Sequence, residues 1–236
     1  MEIRDKAHNC DNQTCKLLNP CLTELLEYQD LKNRVCKVEE LFLNNIRNFN
    51  KLSEIPLDLL SWSDRHRVYQ LPNREFIQEL AKTIKEIDPE TIIEIAAGRG
   101  IICRHISNIL NKEIILTDNY SWWKNIEEKI EYQDVIKMDY NEAIDKFKPD
   151  LIIVSWIPYK NCWTEDFRKY SSVKGYIVIG ESRGGCTGNI NDWDTNWTIK
   201  DLDDVEKYGI CRSDHSFGQY RDITIRHTSV TYFERP

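Results

Sequence analysis

The chain has 236 residues, which is enough for one well-cored domain with an appendage or for two small domains. Hydrophobic residues make up 41% and charged residues 30%, as is typical of a folded globular protein and not of a disordered one. The formal net charge of −7 disfavours a nucleic-acid backbone as the main partner, because such proteins usually present a basic face. No apolar run approaches the roughly 20 residues needed to span a bilayer, and no apolar secretory segment opens the chain, so we expect a cytoplasmic protein without a membrane partner.

The first 72 residues are predicted to form an N-terminal arm and a helical cap. Residues 1–21 are polar and rich in Asn and Cys. Apolar residues then recur at helical spacing from Thr23 to Asn48, which predicts one or two amphipathic helices. The segment from Ile55 to Pro72 has a proline near each end and is predicted to be a loop or short turns.

Eight cysteines are spread along the whole chain, and without a secretion signal we expect reduced thiols and no disulfide framework. The first three follow the spacing Cys10-x4-Cys15-x5-Cys21, with His8 just before them. A structural zinc site usually takes its ligands in two close pairs, and here only Cys36 follows. The sequence therefore favours incidental thiols on the arm over a metal centre.

Residues 73–236 are predicted to form an α/β domain. It opens with a helix from Arg74 to Ile87, capped by Asn73 and ended by Pro89. Short apolar runs then alternate with helical segments. The predicted strands are 91–97, 113–117, 134–138, 151–156 and 175–180, and the predicted helices are 101–110, 122–129, 140–147 and 164–170. This alternation predicts a Rossmann-like doubly wound, mainly parallel sheet, with Ile223 to Phe233 as an antiparallel strand or hairpin at its edge.

A turn with two glycines, Gly98 and Gly100, joins the first predicted strand to the next helix. Glycine lets the backbone approach a ligand closely and adopt positive φ, and the helix N-terminus offers free N–H groups. These features predict a turn that binds a nucleotide cofactor. The dinucleotide fingerprint G-x-G-x-x-G fits poorly, because Cys103 stands in place of the third glycine. An NAD-dependent oxidoreductase is therefore disfavoured.

The same turn resembles motif I of the class I S-adenosylmethionine-dependent methyltransferases, an acidic residue followed by x-G-x-G-x-G. Here the motif reads Glu94, Ala96, Gly98 and Gly100, with alanine in place of the first glycine. The resemblance covers roughly Arg74 to Pro236 and implies an antiparallel seventh strand near the C-terminus. The downstream pattern SWIPY…CWTEDFR…YIVIGES is similar to that of a subgroup of methyltransferase-like proteins.

The resemblance also implies further residues that bind S-adenosylmethionine. Asp118 ends the second predicted strand, where the family's acidic residue accepts hydrogen bonds from the ribose hydroxyls. Asp139 closes the third strand, where the family's residue contacts the adenine amine. Trp156, at the end of the fourth strand, is the last predicted cofactor-binding residue. Singly, such acids are turn residues as often as ligands, but strand ends converge on one crevice in an open α/β sheet.

The loop from Ser155 to Tyr159 is similar to the N/D-P-P-Y/F loop of amino-group methyltransferases. Pro158 and Tyr159 match this loop, whereas Trp156 and Ile157 replace its polar residue and its first proline. Methylation of nucleic-acid amines is therefore disfavoured, in agreement with the net charge.

Three residues are predicted to act on the acceptor. Tyr159 lies in the loop just described, Glu181 follows the fifth strand, and His215 precedes the last strands. Glu181 is a candidate general base or a binder of a cationic acceptor, and a surface acid is an equal alternative. A structural role is the main alternative for His215.

The sequence predicts methyl transfer from S-adenosylmethionine to a small-molecule acceptor, without a metal. A protein that binds the cofactor without turnover, as a partner or regulatory subunit, is the alternative, because motif I and the Ser155–Tyr159 loop are both altered. Neither the acceptor nor the oligomeric state follows from the sequence, and fold alone does not settle function.

Overall fold

The structure is a computed structural model, and it describes residues 25, 27–32, 68–121, 134–181, 185, 187–211 and 228–236. Several predicted features lie outside these residues: the N-terminal cysteines, most of the helical cap, the helix at 122–129, and His215. Within the cap, residues 28–32 are helical. No helix in the described part of the chain is both long and apolar enough to cross a membrane.

Seven strands form one mixed sheet in the order β3-β2-β1-β4-β5-β7-β6. The strands are β1 Ile92–Ile95, β2 Ile115–Asp118, β3 Val135–Lys137, β4 Leu151–Ser155, β5 Gly175–Gly180, β6 Thr198–Asp201 and β7 Ser229–Glu234. Neighbours among β1 to β5 are parallel, and β7 runs antiparallel to both β5 and β6. The predicted fold class, a Rossmann-like sheet that is mainly parallel with an antiparallel C-terminal strand, is confirmed.

Helices lie between the strands, much as the apolar pattern predicts. They are α1 Arg74–Ile87, α2 Ile101–Leu110, α3 Tyr140–Phe147, α4 Trp163–Lys169 and α5 Asp203–Glu206, with a 3-10 helix at Ile190–Trp193. The cap predicted for α1 is present, since the side chain of Asn73 accepts a hydrogen bond from the backbone N–H of Phe76 at 2.9 Å.

Strands β1, β2, β4 and β5 are buried on both faces, which explains why they read as nearly continuous apolar runs. Ile92 packs into a cluster with residues of α1 and α2. Ile93 and Ile95 point to the opposite face and pack with residues of α3 and α4. Side chains of successive strand residues therefore fill two separate cores, one on each face of the sheet.

The edge position predicted for the C-terminal strand is wrong. The C-terminal strand β7 lies between β5 and β6, so β6 forms the edge of the sheet. Thr198, Lys200 and Asp201 in β6 are exposed, and Ile199 is half-buried. An exposed edge strand carries no apolar run, which explains why the hydrophobic pattern does not reveal it.

Candidate functional site

The central strands leave the sheet through sharp turns at one edge. Ala96, Tyr120 and Trp156, which follow β1, β2 and β4, have positive φ angles of 51°, 54° and 58°, and Gly180 at the end of β5 has 149°. Positive φ is costly for residues with a side chain, and such residues cluster at functional sites. The strand order also reverses between β1 and β4 at this edge, which is where open α/β sheets bind ligands. This edge is therefore the candidate site.

The two glycines of the turn are required for different reasons. Both have positive φ, 54° at Gly98 and 65° at Gly100. A Cβ atom on Gly100 would lie 2.7 Å from Cδ1 of Leu116, whereas a Cβ atom on Gly98 would meet nothing within 4 Å in the part of the chain that the structure describes. Packing therefore explains Gly100, while Gly98 borders open space into which a ligand can approach the backbone.

Ala96 adopts a left-handed conformation, with φ 51°. An alanine there is strained by about 1 kcal/mol. Replacing Ala96 by glycine removes this strain and is therefore expected to raise the free energy of unfolding by up to about 1 kcal/mol. Part of this gain is offset, because glycine increases the conformational entropy of the unfolded chain. Urea unfolding measures the change. The matched control is Ala97→Gly, where φ is not positive and a loss of about 0.5 to 1 kcal/mol is expected. Equal losses in both variants would contradict the strain at Ala96.

Asp118 fastens the glycine turn to the end of β2. Its Oδ2 accepts a hydrogen bond from the Gly98 N–H at 2.8 Å, and its Oδ1 accepts one from the Tyr120 N–H at 2.6 Å. The side chain is buried, and burial raises its pKa while these two bonds oppose the rise. The Gly98 N–H is thus already used within the protein. Carboxylate oxygens have further lone pairs, so Asp118 can still accept ligand hydroxyls.

Glu94 lies inside the sheet beneath the turn. It is 2% exposed and stands beside Leu116 and Ile153 in the paired strands. Its carboxyl forms a hydrogen bond with the side chain of Cys103, and its Oε2 has no hydrogen-bond partner within the described parts of the chain. Burial raises the pKa of Glu94 to about 8, so the carboxyl is protonated at neutral pH.

Asp139 stands one residue beyond β3 and caps helix α3. Its Oδ1 accepts a hydrogen bond from the Asn141 N–H at 3.0 Å. Its Oδ2 is 3.4 Å from the side-chain amide of Asn119, which directly follows Asp118. The structure thus brings the ends of β2 and β3 together, as the sequence predicts for two acids at one sheet edge.

Trp156 is held between the sheet and the segment before α1. Its backbone N–H donates to the Ile179 carbonyl at 2.7 Å, and its indole Nε1 lies 3.4 Å from Oε1 of Gln70. The ring of Tyr69 stacks on the indole, with 6.0 Å between centroids and 28° between planes. Tyr69 and Gln70, which lie in the segment predicted to be a loop or short turns, therefore belong to the walls of the candidate site.

Gln70 anchors that segment from within the protein. It is 3% exposed, its Nε2 donates to the Ile210 carbonyl at 3.0 Å, and its Oε1 accepts from the hydroxyl of Thr228 at 3.0 Å. No local sequence pattern marks it, because its partners are 140 and 158 residues away. Because these hydrogen bonds tie Gln70 to distant segments, Gln70 holds the neighbouring Tyr69 and the indole of Trp156 in position.

The predicted catalytic residues are placed differently from one another. Tyr159 is 61% exposed on a turn, with the Lys160 ammonium 5.3 Å from its ring centroid. Glu181 follows β5, where its backbone N–H donates to the Thr187 hydroxyl at 2.9 Å, and it lines a small pocket that opens to solvent. The pocket is lined by Ile157, Thr164, Val178, Gly180, Glu181, Thr187, Gly188, Asp192, Trp193, Ser229 and Phe233, so Tyr159 is not part of its wall. His215 lies outside the described residues.

Where the structure describes the chain, no three His, Cys, Asp or Glu side chains are grouped so that they could hold a metal ion. The cysteines at positions 10, 15, 21 and 36 lie outside that part.

No protein-family profile and no curated protein sequence matches this chain. Among solved structures, human N-acetylserotonin methyltransferase in complex with S-adenosylmethionine is similar, with a TM-score of 0.37 and 12% identity over 84% of this chain and 66% of that one. A Staphylococcus aureus protein assigned as a caffeoyl-CoA O-methyltransferase has a TM-score of 0.38 and 12% identity over 84% of this chain and 99% of that one. Similarity at this level does not bear on activity or substrate.

Proposed function

We propose that this protein is an S-adenosylmethionine-dependent methyltransferase that acts on a small-molecule acceptor. The observation that carries the proposal is the open space at Gly98, a glycine whose N–H is fastened to the buried carboxylate of Asp118. The strand order with an antiparallel β7 and the motif I pattern support it. The cofactor, the site residues and the acceptor class are all part of the proposal.

The residues at this edge fit the proposed cofactor. Asp118 retains lone pairs for ribose hydroxyls, and Asp139 stands at the end of the next strand, where the adenine amine is proposed to lie. Gly98 admits a ligand against the backbone, and Ala96 adopts the left-handed conformation that a glycine would favour. At the third glycine of a dinucleotide fingerprint, the side chain of Cys103 is fully buried against Glu94, which disfavours NAD.

The acceptor is proposed to bind at the ends of β4 and β5. When bound, S-adenosylmethionine supplies a methyl group activated on a sulfonium. The chain must then align the acceptor, exclude water and, for some acceptors, remove a proton. Trp156 offers an aromatic wall fixed by Tyr69 and Gln70, and the Glu181 carboxylate lines the adjacent pocket as a proton acceptor or as a partner for a cationic acceptor. The net charge of −7 disfavours nucleic acid as the acceptor.

Calorimetric titration with S-adenosylmethionine, S-adenosylhomocysteine and NAD tests the proposal. We expect micromolar binding of the two sulfur compounds and none of NAD. Asp118→Ala removes the anchor of the glycine turn and a ligand acceptor, so both affinities are expected to fall at least about tenfold, or about 1.4 kcal/mol. Asp145→Ala, at an exposed acid of α3, is the matched control and should bind normally.

Two results would count against this function. Binding of NAD in preference to both sulfur compounds would exclude the cofactor. Binding of S-adenosylmethionine without transfer of labelled methyl to any small molecule of a cell extract would favour the alternative of a non-catalytic cofactor-binding protein.

A further inference from the structure

Glu94 is a carboxyl group enclosed by apolar strands and one face of α2. Its neighbours in register are Leu116 and Ile153, and Oε2 has no hydrogen-bond partner in the segments that the structure describes. Its contacts with the backbone and thiol of Cys103 favour the charged form only weakly against burial, which raises the pKa of Glu94 to about 8. The group is therefore kept neutral by its surroundings.

Few charges face this carboxyl. From α2 it faces the guanidinium of Arg104 and the thiol of Cys103, whose pKa burial raises so that it stays neutral, and from β2 it faces the carboxylate of Asp118. Arg104 is already paired with Asp134 and with the carbonyl of Arg99. Asp118 opposes ionisation of Glu94, because it adds a like charge. Because Asp118 also holds the Gly98 N–H, a positive charge bound at the turn would lie near the same group of charges and would favour the Glu94 carboxylate.

We propose that Glu94 gives up its proton to solvent when a ligand carrying a positive charge binds at the glycine turn, so that this residue makes the site selective for cationic ligands. The inference rests on the proposed function, which places a sulfonium and an ammonium group in this site. The ligand is chemically unchanged in the step, and the proton passes to the buffer. Glu94 stands two residues before Ala96 and four before Gly98 on the strand that leads into the turn.

The sign of the pH dependence follows from linkage. In the free protein the Glu94 carboxyl is protonated below about pH 8. In the complex its pKa is lower, because the ligand's charge favours the carboxylate. Affinity for the cation therefore rises with pH between these two pKa values, by up to about tenfold per pH unit, and levels off above about pH 8.

Calorimetric titration of the full chain with S-adenosylmethionine, in phosphate and in Tris at pH 6, 7 and 8, tests the inference. These buffers differ in ionisation enthalpy, so the difference in binding heat counts the protons released. We expect close to one proton per ligand at pH 7 and an affinity at least about tenfold higher at pH 8 than at pH 6. Glu94→Gln is expected to release none and to lose this pH dependence, whereas Glu113→Gln, at an exposed position, should behave as wild type.

A second measurement uses the unchanged protein. Infrared difference spectra should show the band of a protonated carboxyl disappearing when S-adenosylmethionine is added at pH 7. Tight binding with equal heats in both buffers, or proton release that persists in Glu94→Gln, would overturn the inference while leaving the proposed function intact. Absence of binding by S-adenosylmethionine and S-adenosylhomocysteine at every pH would instead overturn the proposed function and this inference with it.

Discussion

Replacing Glu94 by glutamine is expected to remove a large part of the pH dependence of folding stability. The pKa of Glu94 rises from 4.5 to about 8 on folding, so between these values the folded chain holds a proton that the unfolded chain does not. The free energy of unfolding of the wild type therefore falls as pH rises through this window, by at most about 1.4 kcal/mol per pH unit and by on the order of 5 kcal/mol in total. Glutamine has the same shape and no titration, so its curve lacks this fall.

Urea unfolding at pH 5, 6, 7 and 8 measures the effect. We expect the two proteins to be similar at pH 5 and Glu94→Gln to be the more stable at pH 8. The difference between the curves isolates Glu94 from other titrating groups, and Glu113→Gln shows what loss of an exposed carboxylate does. Parallel curves for wild type and Glu94→Gln would mean that the Glu94 carboxyl titrates alike in the folded and unfolded chains.

A second large effect is expected at the glycine turn, where one substitution lowers mainly ligand affinity and another, two residues away, lowers mainly stability. In Gly98→Ala the new Cβ enters open space, and the only cost is left-handed strain of about 1 kcal/mol. The fold is retained, but the methyl group occupies the proposed ligand space, so the affinity for S-adenosylmethionine is expected to fall at least about a hundredfold. In Gly100→Ala the Cβ lies 2.7 Å from Leu116 Cδ1 as well as being strained, and stability is expected to fall by about 2 to 4 kcal/mol.

Calorimetry and urea unfolding on both variants separate the two effects. Asn111→Ala is the matched control for strain, because Asn111 has φ 48° at the far end of α2. It should lose about as much stability as Gly98→Ala and keep full affinity. If Gly98→Ala bound the cofactor as well as Asn111→Ala does, the open space at Gly98 would not be where the ligand lies.

Most of the parallel half of the fold was predictable, because β1, β2, β4 and β5 are buried on both faces and therefore form apolar runs. The helix bounds at Arg74–Ile87, Ile101–Leu110 and Tyr140–Phe147 agree for a similar reason, since their apolar faces and caps are local features. The polar edge strand β6 has no apolar run and no cap that would mark it in the sequence. Sequence spacing alone therefore describes the inner part of this sheet better than its rim.

The candidate site was predictable only in part. Asp118 and Gly98 stand out because they follow strands, but the bond between them joins residues 20 positions apart and has no sequence signature. The burial of Glu94, which decides its protonation, depends on how α2 covers β1. Gln70 escaped detection because its role comes from contacts with Trp156, which follows β4, and with the C-terminal part of the chain.

The anchoring of Gln70 has a consequence for how the protein assembles. Its bonds close loops of 86, 140 and 158 residues, to Trp156, Ile210 and Thr228. Closing such long loops costs entropy that is regained only once both ends are in place, so these contacts form late in folding, after the local βα units. The wall beside Trp156 is therefore completed late in folding. The glycine turn that follows β1, at the other end of the candidate site, forms before it.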